Sequence, residues 1–123
     1  MIMTLSTVLQ VLVAITLLWV WLVQAKKPTP YRGGNARSLK EEFAVYSLPN
    51  WSLWVVGGLK IAAAFAFLAG IWLPGLALPA AIVVFFLMVG AVAMHLKVSD
   101  PLKKAAPASV LLVFCAVIAI VNF

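Results

Sequence analysis

Acidic residues are scarce in this chain, which holds Glu41, Glu42 and Asp100 beside one histidine and one cysteine. The single cysteine, Cys115, excludes a disulfide within the chain and has no second thiol for thiol–disulfide exchange. Histidine and carboxylates are too few for an all-protein haem or binuclear metal site, so we predict no metal ligands. A glycine-rich phosphate-binding loop is also absent. These absences exclude the catalytic classes that short sequence motifs identify.

Charge is absent from a long central stretch, because residues 61–96 contain no Asp, Glu, Lys or Arg. As one helix this stretch would be about 54 Å long, whereas a hydrocarbon core is about 30 Å thick. It must turn back on itself, and Leu73-Pro74-Gly75 is where the sequence allows a turn. Of the 123 residues, 66% are hydrophobic. A soluble domain of this size could not bury so much apolar surface. The chain is therefore predicted to cross a membrane repeatedly.

Four apolar segments each come close to the roughly 20 residues that a spanning helix requires. They cover approximately residues 5–23, 51–73, 76–96 and 102–123, separated by loops at 24–50 and 97–101 and by the short turn. Backbone groups in hydrocarbon must be paired within their own segment, which favours helices over strands. We predict an all-α integral membrane protein, an antiparallel four-helix bundle that forms a single transmembrane domain.

The first loop carries a helix signal of its own. Ser38 and Glu41 have the spacing of a capping box, in which the two side chains satisfy free amides at a helix start. Leu39, Phe43 and Tyr46 recur at helical spacing. We therefore predict a short amphipathic helix between the first two spans, lying along the membrane surface.

Two local patterns predict how the later spans begin and pack. Asp100-Pro101 is typical of a helix N-cap followed by proline at the first helical position. Small residues recur every four positions in the second span, at Gly58, Ala62, Ala66 and Gly70. Such a stripe lets a neighbouring helix approach closely, so we predict that spans two and three form the centre of the bundle.

The net charge of +6 can indicate nucleic-acid binding, but every basic residue except Lys60 lies in one of two segments that flank the spans. Five basic residues oppose two acidic ones within 24–50, and three oppose one within 97–104. Anionic lipid headgroups explain this pattern better than nucleic acid does. By the positive-inside bias, we predict a multi-pass protein of the cell membrane with cytoplasmic loops and both termini outside.

Lys60 is the exception, about nine residues inside the second span and so roughly 13 Å from its end. A cation at this depth is costly and usually functional or paired, although a lysine can also snorkel to the interface. Its own helix face contains Leu53, Val56 and Phe67, and it faces either lipid or a second packing surface. Thr16 is the best intramembrane polar neighbour. Snorkelling and a ligand contact are both open.

His95 lies near the cytoplasmic end of the third span, shallower than Lys60, and we expect no direct contact between the two. It can meet Asp100, Glu41, Glu42 or the turn that contains Tyr31 and Arg32. A histidine beside carboxylates can relay protons or bind a quinone carbonyl. It can equally be a structural donor that fixes the loop to the bundle.

Several segments together resemble the DoxX-like family of small four-helix membrane proteins. They are Tyr46-Ser47-Leu48-Pro49, Gly58-Leu59-Lys60, Gly90-Ala91-Val92-Ala93-Met94-His95-Leu96 and Asp100-Pro101. The resemblance implies the four-span fold and a connection with quinone, because the family is named after a small subunit of an archaeal thiosulfate:quinone oxidoreductase. Many relatives place a glutamate near the position of Lys60, so lysine here departs from the pattern.

No complete catalytic set is visible, which favours an accessory or subunit protein that binds a hydrophobic ligand or a partner membrane protein. The first alternative is a quinone-reactive subunit of a membrane oxidoreductase, with quinone as its cofactor. The second is a small homo-oligomeric transporter, although no span contains an acid for proton coupling. The candidate ligand or polar contacts are Lys60, His95, Asp100, Thr16, Tyr31 and Arg32.

Overall fold

The computed structural model describes residues 2–123, with side chains from residue 4 onward. Its helices are α1 (Ile2–Leu18), α2 (Leu39–Val45), α3 (Asn50–Ala69), α4 (Ala77–Lys97) and α5 (Leu102–Asn122). Four segments are long and apolar enough to cross a membrane: Thr4–Val23, Asn50–Ala69, Pro74–Lys97 and Leu102–Asn122. No strand occurs within residues 2–123. The predicted all-α fold with four spanning helices and a short helix in the first loop is confirmed.

The turn between the second and third spans is broader than predicted. Helix α3 ends at Ala69, four residues before the expected end of the span, and a short 3-10 turn covers Pro74–Leu76. A proline disfavours the helical conformation in the residue before it. Leu73 is accordingly extended, with φ −120° and ψ 80°. The chain therefore folds back around Leu73-Pro74, as the sequence predicts.

The packing order of the spans differs from the prediction. The most extensive helix contact joins α4 and α5 rather than α3 and α4. Helix α3 buries Gly57, Ala64 and Phe67, whereas Gly58 and Ala62 of the small-residue stripe are exposed. The predicted central pair of spans two and three is therefore wrong. Two of the four stripe residues thus lie on the outside and Gly70 is buried, whereas Lys60 lies on the packed side of the helix.

Large apolar side chains cover the outside of the bundle. The most exposed within the spans include Trp54, Phe86 and Ile120, and Trp72 in the turn after α3 is equally exposed. The core between the helices is built from smaller side chains such as Val13, Val84 and Cys115, each fully buried. A surface of this kind would be costly in water and is compatible with lipid.

The first span ends in a π-helical turn, Trp19–Val23, that the sequence does not predict. π-Turns insert an extra residue into a helix and are frequent at functional sites. The ring of Trp21 packs against α3 at Gly57, where an added Cβ would lie 2.6 Å from it. The absence of a side chain at Gly57 allows this contact.

Helix α2 begins where the capping-box spacing predicts. The backbone N–H of Glu41 donates to Ser38 Oγ at 3.1 Å. Leu39 and Tyr46 are buried beneath α2, 7% and 4% exposed, which agrees with the predicted apolar face. The short helix thereby covers the bundle at the end where the two loops lie.

Candidate functional site

A cavity of about 420 Å³ lies at the loop end of the bundle, beneath α2. All five helices and the first loop contribute to its wall. Its deeper part is apolar and includes the buried side chains Leu17, Met88 and Leu111. Its outer part is polar and includes Glu42 and Tyr46 of the first loop. The cavity thus runs from an apolar interior to a polar rim.

The structure brings the residues singled out from the sequence to this one cavity. Lys60, His95, Thr16, Tyr31 and Arg32 all line it. The remaining one, Asp100, lies directly behind the wall, with Oδ2 at 2.8 Å from His95 Nδ1. That these residues bind a ligand stays a prediction.

Lys60 points into the bundle rather than into lipid. Its Nζ lies 5.2 Å from the centroid of the Trp21 ring, a cation–π contact. No ion pair within residues 2–123 includes Lys60. Thr16, the expected polar neighbour, lines the same cavity but donates its hydroxyl to Leu12 O at 2.8 Å. Of the two faces left open by the sequence, the second packing surface is the one that Lys60 occupies.

A row of hydrogen bonds crosses the polar rim of the cavity. Arg32 Nη1 donates to Glu42 Oε2 at 3.3 Å, and the Tyr46 hydroxyl donates to Glu42 Oε1 at 2.7 Å. The same hydroxyl lies 3.4 Å from His95 Nδ1, which in turn contacts Asp100. The row therefore links the first loop to α4 and to the second loop.

Asp100 fastens the first loop to the second. The backbone N–H of Gly34 donates to Asp100 Oδ1 at 3.0 Å, and Lys104 Nζ lies 3.8 Å from the same oxygen. The predicted N-cap role of Asp100 is wrong, because α5 begins after Pro101 without a side-chain cap. Burial raises the pKa of Asp100, but the hydrogen bonds from His95 and Gly34 outweigh it and hold the pKa below its usual value.

The glycine turn of the first loop makes room for Tyr46. An added Cβ at Gly33 would lie 2.5 Å from the Tyr46 ring, and Gly34 adopts φ +56°. Gly34 is the one of these two glycines with a positive φ. Burial and the hydrogen bond to Glu42 raise the pKa of Tyr46 well above its usual value, so its hydroxyl stays protonated as a donor.

Arg32 has a mainly structural set of contacts. It is 5% exposed, and its Nη2 donates to Gln24 O at 2.6 Å and to Lys27 O at 3.2 Å, where the first span ends. Its Nε is buried without a hydrogen-bond partner in the described part of the chain. Tyr31, its neighbour, is 43% exposed at the cavity rim.

Sequence reasoning missed Trp21 and Tyr46 as members of the site, and it named Glu42 only as a possible contact of His95. Tyr46 and Glu42 lie in the segment assigned to the amphipathic helix, and the apolar spacing of that helix already directs Tyr46 inward. The position of Trp21 depends on the π-helical turn, for which hydropathy gives no signal. A tryptophan near a span end is more often an interfacial anchor.

A second polar cluster, at the end of the bundle opposite the loops, was also missed. Ser6 Oγ donates to Gln10 Oε1 at 2.6 Å, and Asn122 Nδ2 donates to Ser6 Oγ at 2.8 Å. Gln10 Nε2 donates to Phe67 O at 2.8 Å, a carbonyl near the end of α3. The signal in the sequence is a pair of polar residues four apart in an apolar helix.

The fold and the cavity define a small multi-pass membrane protein with four spanning helices and polar groups gathered beneath its loops. The sequence model of the DoxX-like family matches residues 8–118, and the chain therefore belongs to the DoxX-like family. This confirms the resemblance seen in the sequence. A search of curated proteins and a search of solved structures each find no match.

Proposed function

We propose that this protein binds a hydrophobic small molecule of the membrane in the cavity beneath α2, as an accessory or subunit protein. The observation that carries the proposal is the cavity itself. Its volume of about 420 Å³ falls within the range of about 300–1,000 Å³ typical of small-molecule sites. Such sites are mostly apolar and contain a few convergent polar groups, as this one does.

The gradient of polarity supports an amphipathic ligand. The apolar wall at Leu17, Met88 and Leu111 suits a chain or ring that lies at the depth of the hydrocarbon. The polar side of the wall, at Arg32, Lys60 and His95, suits the polar group of such a ligand. A ligand placed in this way would reach the cavity from the membrane.

The test fills the cavity with one side chain. Ala91 lines it, whereas Ala93 on the same helix is exposed and does not. Protein extracted in native lipid discs should carry a bound small molecule, detected by mass spectrometry. Ala91→Phe should lose that molecule and Ala93→Phe should retain it. Retention by Ala91→Phe, or a wild type that carries none, would overturn the proposal.

A quinone is a second candidate, favoured by the His95–Asp100 pair. Asp100 holds Nδ1 of the imidazole at 2.8 Å, which leaves Nε2 as the nitrogen that can meet a ligand. A quinone carbonyl would accept a hydrogen bond there, and a bound quinone would supply electron and proton transfer. Co-isolated quinone that is lost in His95→Ala but kept in Lys103→Ala would support this candidate. Equal quinone content in both variants would count against it.

We also propose that the two basic loops face the cytoplasm and both termini face outward. The support is the charge bias of the loops. Single cysteines at exposed positions 26 and 103 should react with an impermeant thiol reagent only from the cytoplasmic side, whereas a cysteine at position 72 should react from outside. The membrane oxidoreductase partner and the homo-oligomer stay predictions.

A further inference from the structure

We propose that the ligand is an amphipathic anion, a single hydrocarbon chain with an acidic head, and that the Lys60 ammonium binds this head. The inference rests on the proposed binding function and narrows its ligand class. It begins from the charges that line the cavity, because all but one of its fixed charges already have a partner.

The ion pairs around the cavity do not include Lys60. Arg32 pairs with Glu42 at 3.3 Å, and Lys104 lies 3.8 Å from Asp100. Within residues 2–123, Lys60 has neither a carboxylate within 4 Å nor a hydrogen-bond acceptor. Its ammonium instead makes a cation–π contact with the Trp21 ring. An ammonium carries three donors, so three hydrogen-bonding positions are open to a ligand.

Glu42 does not take this role, although it lines the same cavity. One carboxylate oxygen accepts from Arg32 and the other accepts from the Tyr46 hydroxyl. Its side chain is 12% exposed and fixed from both sides. A carboxylate or phosphate brought by a ligand would therefore meet a cation that the protein has left unneutralised.

A second unused donor lies at the same cavity. Arg32 Nε is buried without a partner among residues 2–123, although the rest of the guanidinium is bonded. Buried polar groups are rarely left unpaired, and a bound ligand is one explanation of such an exception. Two donors of positive charge at one cavity favour an anion over a neutral head.

The Lys60 side chain is held in position by the Trp21 ring. Trp21 reaches α3 through the π-helical turn, and Gly57 leaves space for its ring. Lys60 lies one turn further along α3, with its ammonium over the same ring. The apolar part of the same cavity wall includes Met88 and Leu111. A volume of about 420 Å³ is near the lower end of ligand sites and suits one chain better than a two-chain lipid.

The test compares probes that differ only in the head. The full chain in discs of zwitterionic lipid is titrated at neutral pH with radiolabelled decanoate, decyl phosphate and decanol, after subtraction of protein-free discs. At least one of the two anions should bind more tightly than decanol. Lys60→Met should weaken that anion by about 10- to 100-fold, the range expected for hydrogen bonds to a charged group, and should leave decanol unchanged.

Two variants serve as controls. Lys103→Met removes a charge from the same end of the molecule at an exposed position outside the cavity, and should change nothing. Lys60→Arg keeps the charge and should keep the preference for the anion. If Lys60→Met binds neither type of probe, Lys60→Arg decides: retained preference supports the inference and lost preference overturns it.

The outcomes separate the inference from the function on which it rests. If decanol and both anions bind equally well, and Ala91→Phe binds none of them, the cavity binds ligands but the inference that the ligand is an anion is overturned. An anion that binds Lys60→Met as tightly as wild type would also overturn it. Failure of every probe to bind, or binding that Ala91→Phe does not affect, would remove the proposed function itself.

Discussion

The two ends of the bundle treat their polar side chains in opposite ways. Opposite the loops, Ser6, Gln10 and Asn122 bond to one another and to backbone, so the cluster is closed. At the loop end, Lys60 lines a cavity without a hydrogen-bond acceptor in the described chain, and the Nε of Arg32, a residue of the same wall, is buried without a partner there. Polar residues near the ends of a bundle can therefore either bond one helix to another or remain available to a ligand. Only their hydrogen-bond partners distinguish these two roles.

This comparison predicts different consequences of substitution at each end. Changes at the loop end should alter both stability and ligand binding, because the polar rim and the cavity share residues. Changes at the opposite end should alter stability alone. The expected effects are taken from the largest to the smallest.

Asp100→Ala should have the largest effect. The substitution removes a carboxylate whose side chain is 5% exposed. It leaves His95 and the Gly34 N–H without this acceptor, and Lys104 keeps only its hydrogen bond to Gly34 O. Breaking a buried pair from one side costs about 3 kcal/mol or more. We expect a lower free energy of unfolding in detergent and weaker ligand retention. Stability lost with ligand retention intact would show that the loop end also merely holds helices together.

Acid should remove the same contact in the wild type. The hydrogen bonds to Asp100 hold its folded-state pKa below the usual value. The stabilisation is therefore complete above the unfolded-state pKa of about 4, and it is lost as the pH falls through the lower folded-state pKa. The melting temperature of wild type should fall below about pH 4, and the difference from Asp100→Asn should shrink there. A difference that is constant from pH 7 to pH 3 would contradict this account.

Gln10→Ala should have the next largest effect. Gln10 is 2% exposed and its amide satisfies Phe67 O, a carbonyl near the C-terminal end of α3. Leaving that carbonyl and Ser6 without their partner costs about 1–3 kcal/mol. The melting temperature should fall while decanoate binding per folded molecule is unchanged. Weaker binding in folded Gln10→Ala would break the distinction between the two ends. Thr4→Ala, at an exposed position of the same helix, is the matched control.

The sequence predicts the spans well because the cost of an unpaired backbone or a charge in lipid does not depend on the neighbouring helix. It likewise predicts that Lys60 lies inside the second span and that Ser38 caps α2, which are local properties. It does not predict that α5 rather than α3 is the main partner of α4. Small residues permit close packing but do not choose a partner, and Gly58 and Ala62 lie on the exposed side.

The sequence predicts which residues lie at the candidate site better than it predicts the hydrogen bonds among them. His95 does meet Asp100, as expected from their places in the chain. The assignment of Asp100 as an N-cap failed because its carboxylate has a stronger alternative: the Gly34 N–H and His95 together. Gly34 is far from Asp100 in sequence, and a local capping pattern carries no information about such a competitor.

Two adjacent glycines of α3 give the smallest and most direct test of how Lys60 is held. A Cβ at Gly57 would lie 2.6 Å from the Trp21 ring, whereas at Gly58 nothing lies within 4 Å. Gly57→Ala should displace the ring, cost about 1–3 kcal/mol through overpacking, and move the cation–π partner away from Lys60. Gly58→Ala should leave stability unchanged or raise it by up to about 1 kcal/mol, since alanine favours a helix.

Decanoate binding makes the comparison decisive. If Trp21 positions Lys60 for a ligand, Gly57→Ala should weaken decanoate several-fold more than decanol, while Gly58→Ala should affect neither probe. Tryptophan fluorescence should shift in Gly57→Ala and not in Gly58→Ala, which verifies that the ring has moved. If the ring is displaced and the preference for decanoate is unchanged, Lys60 binds the carboxylate without being positioned by Trp21. The π-helical turn would then serve only the packing of the first span.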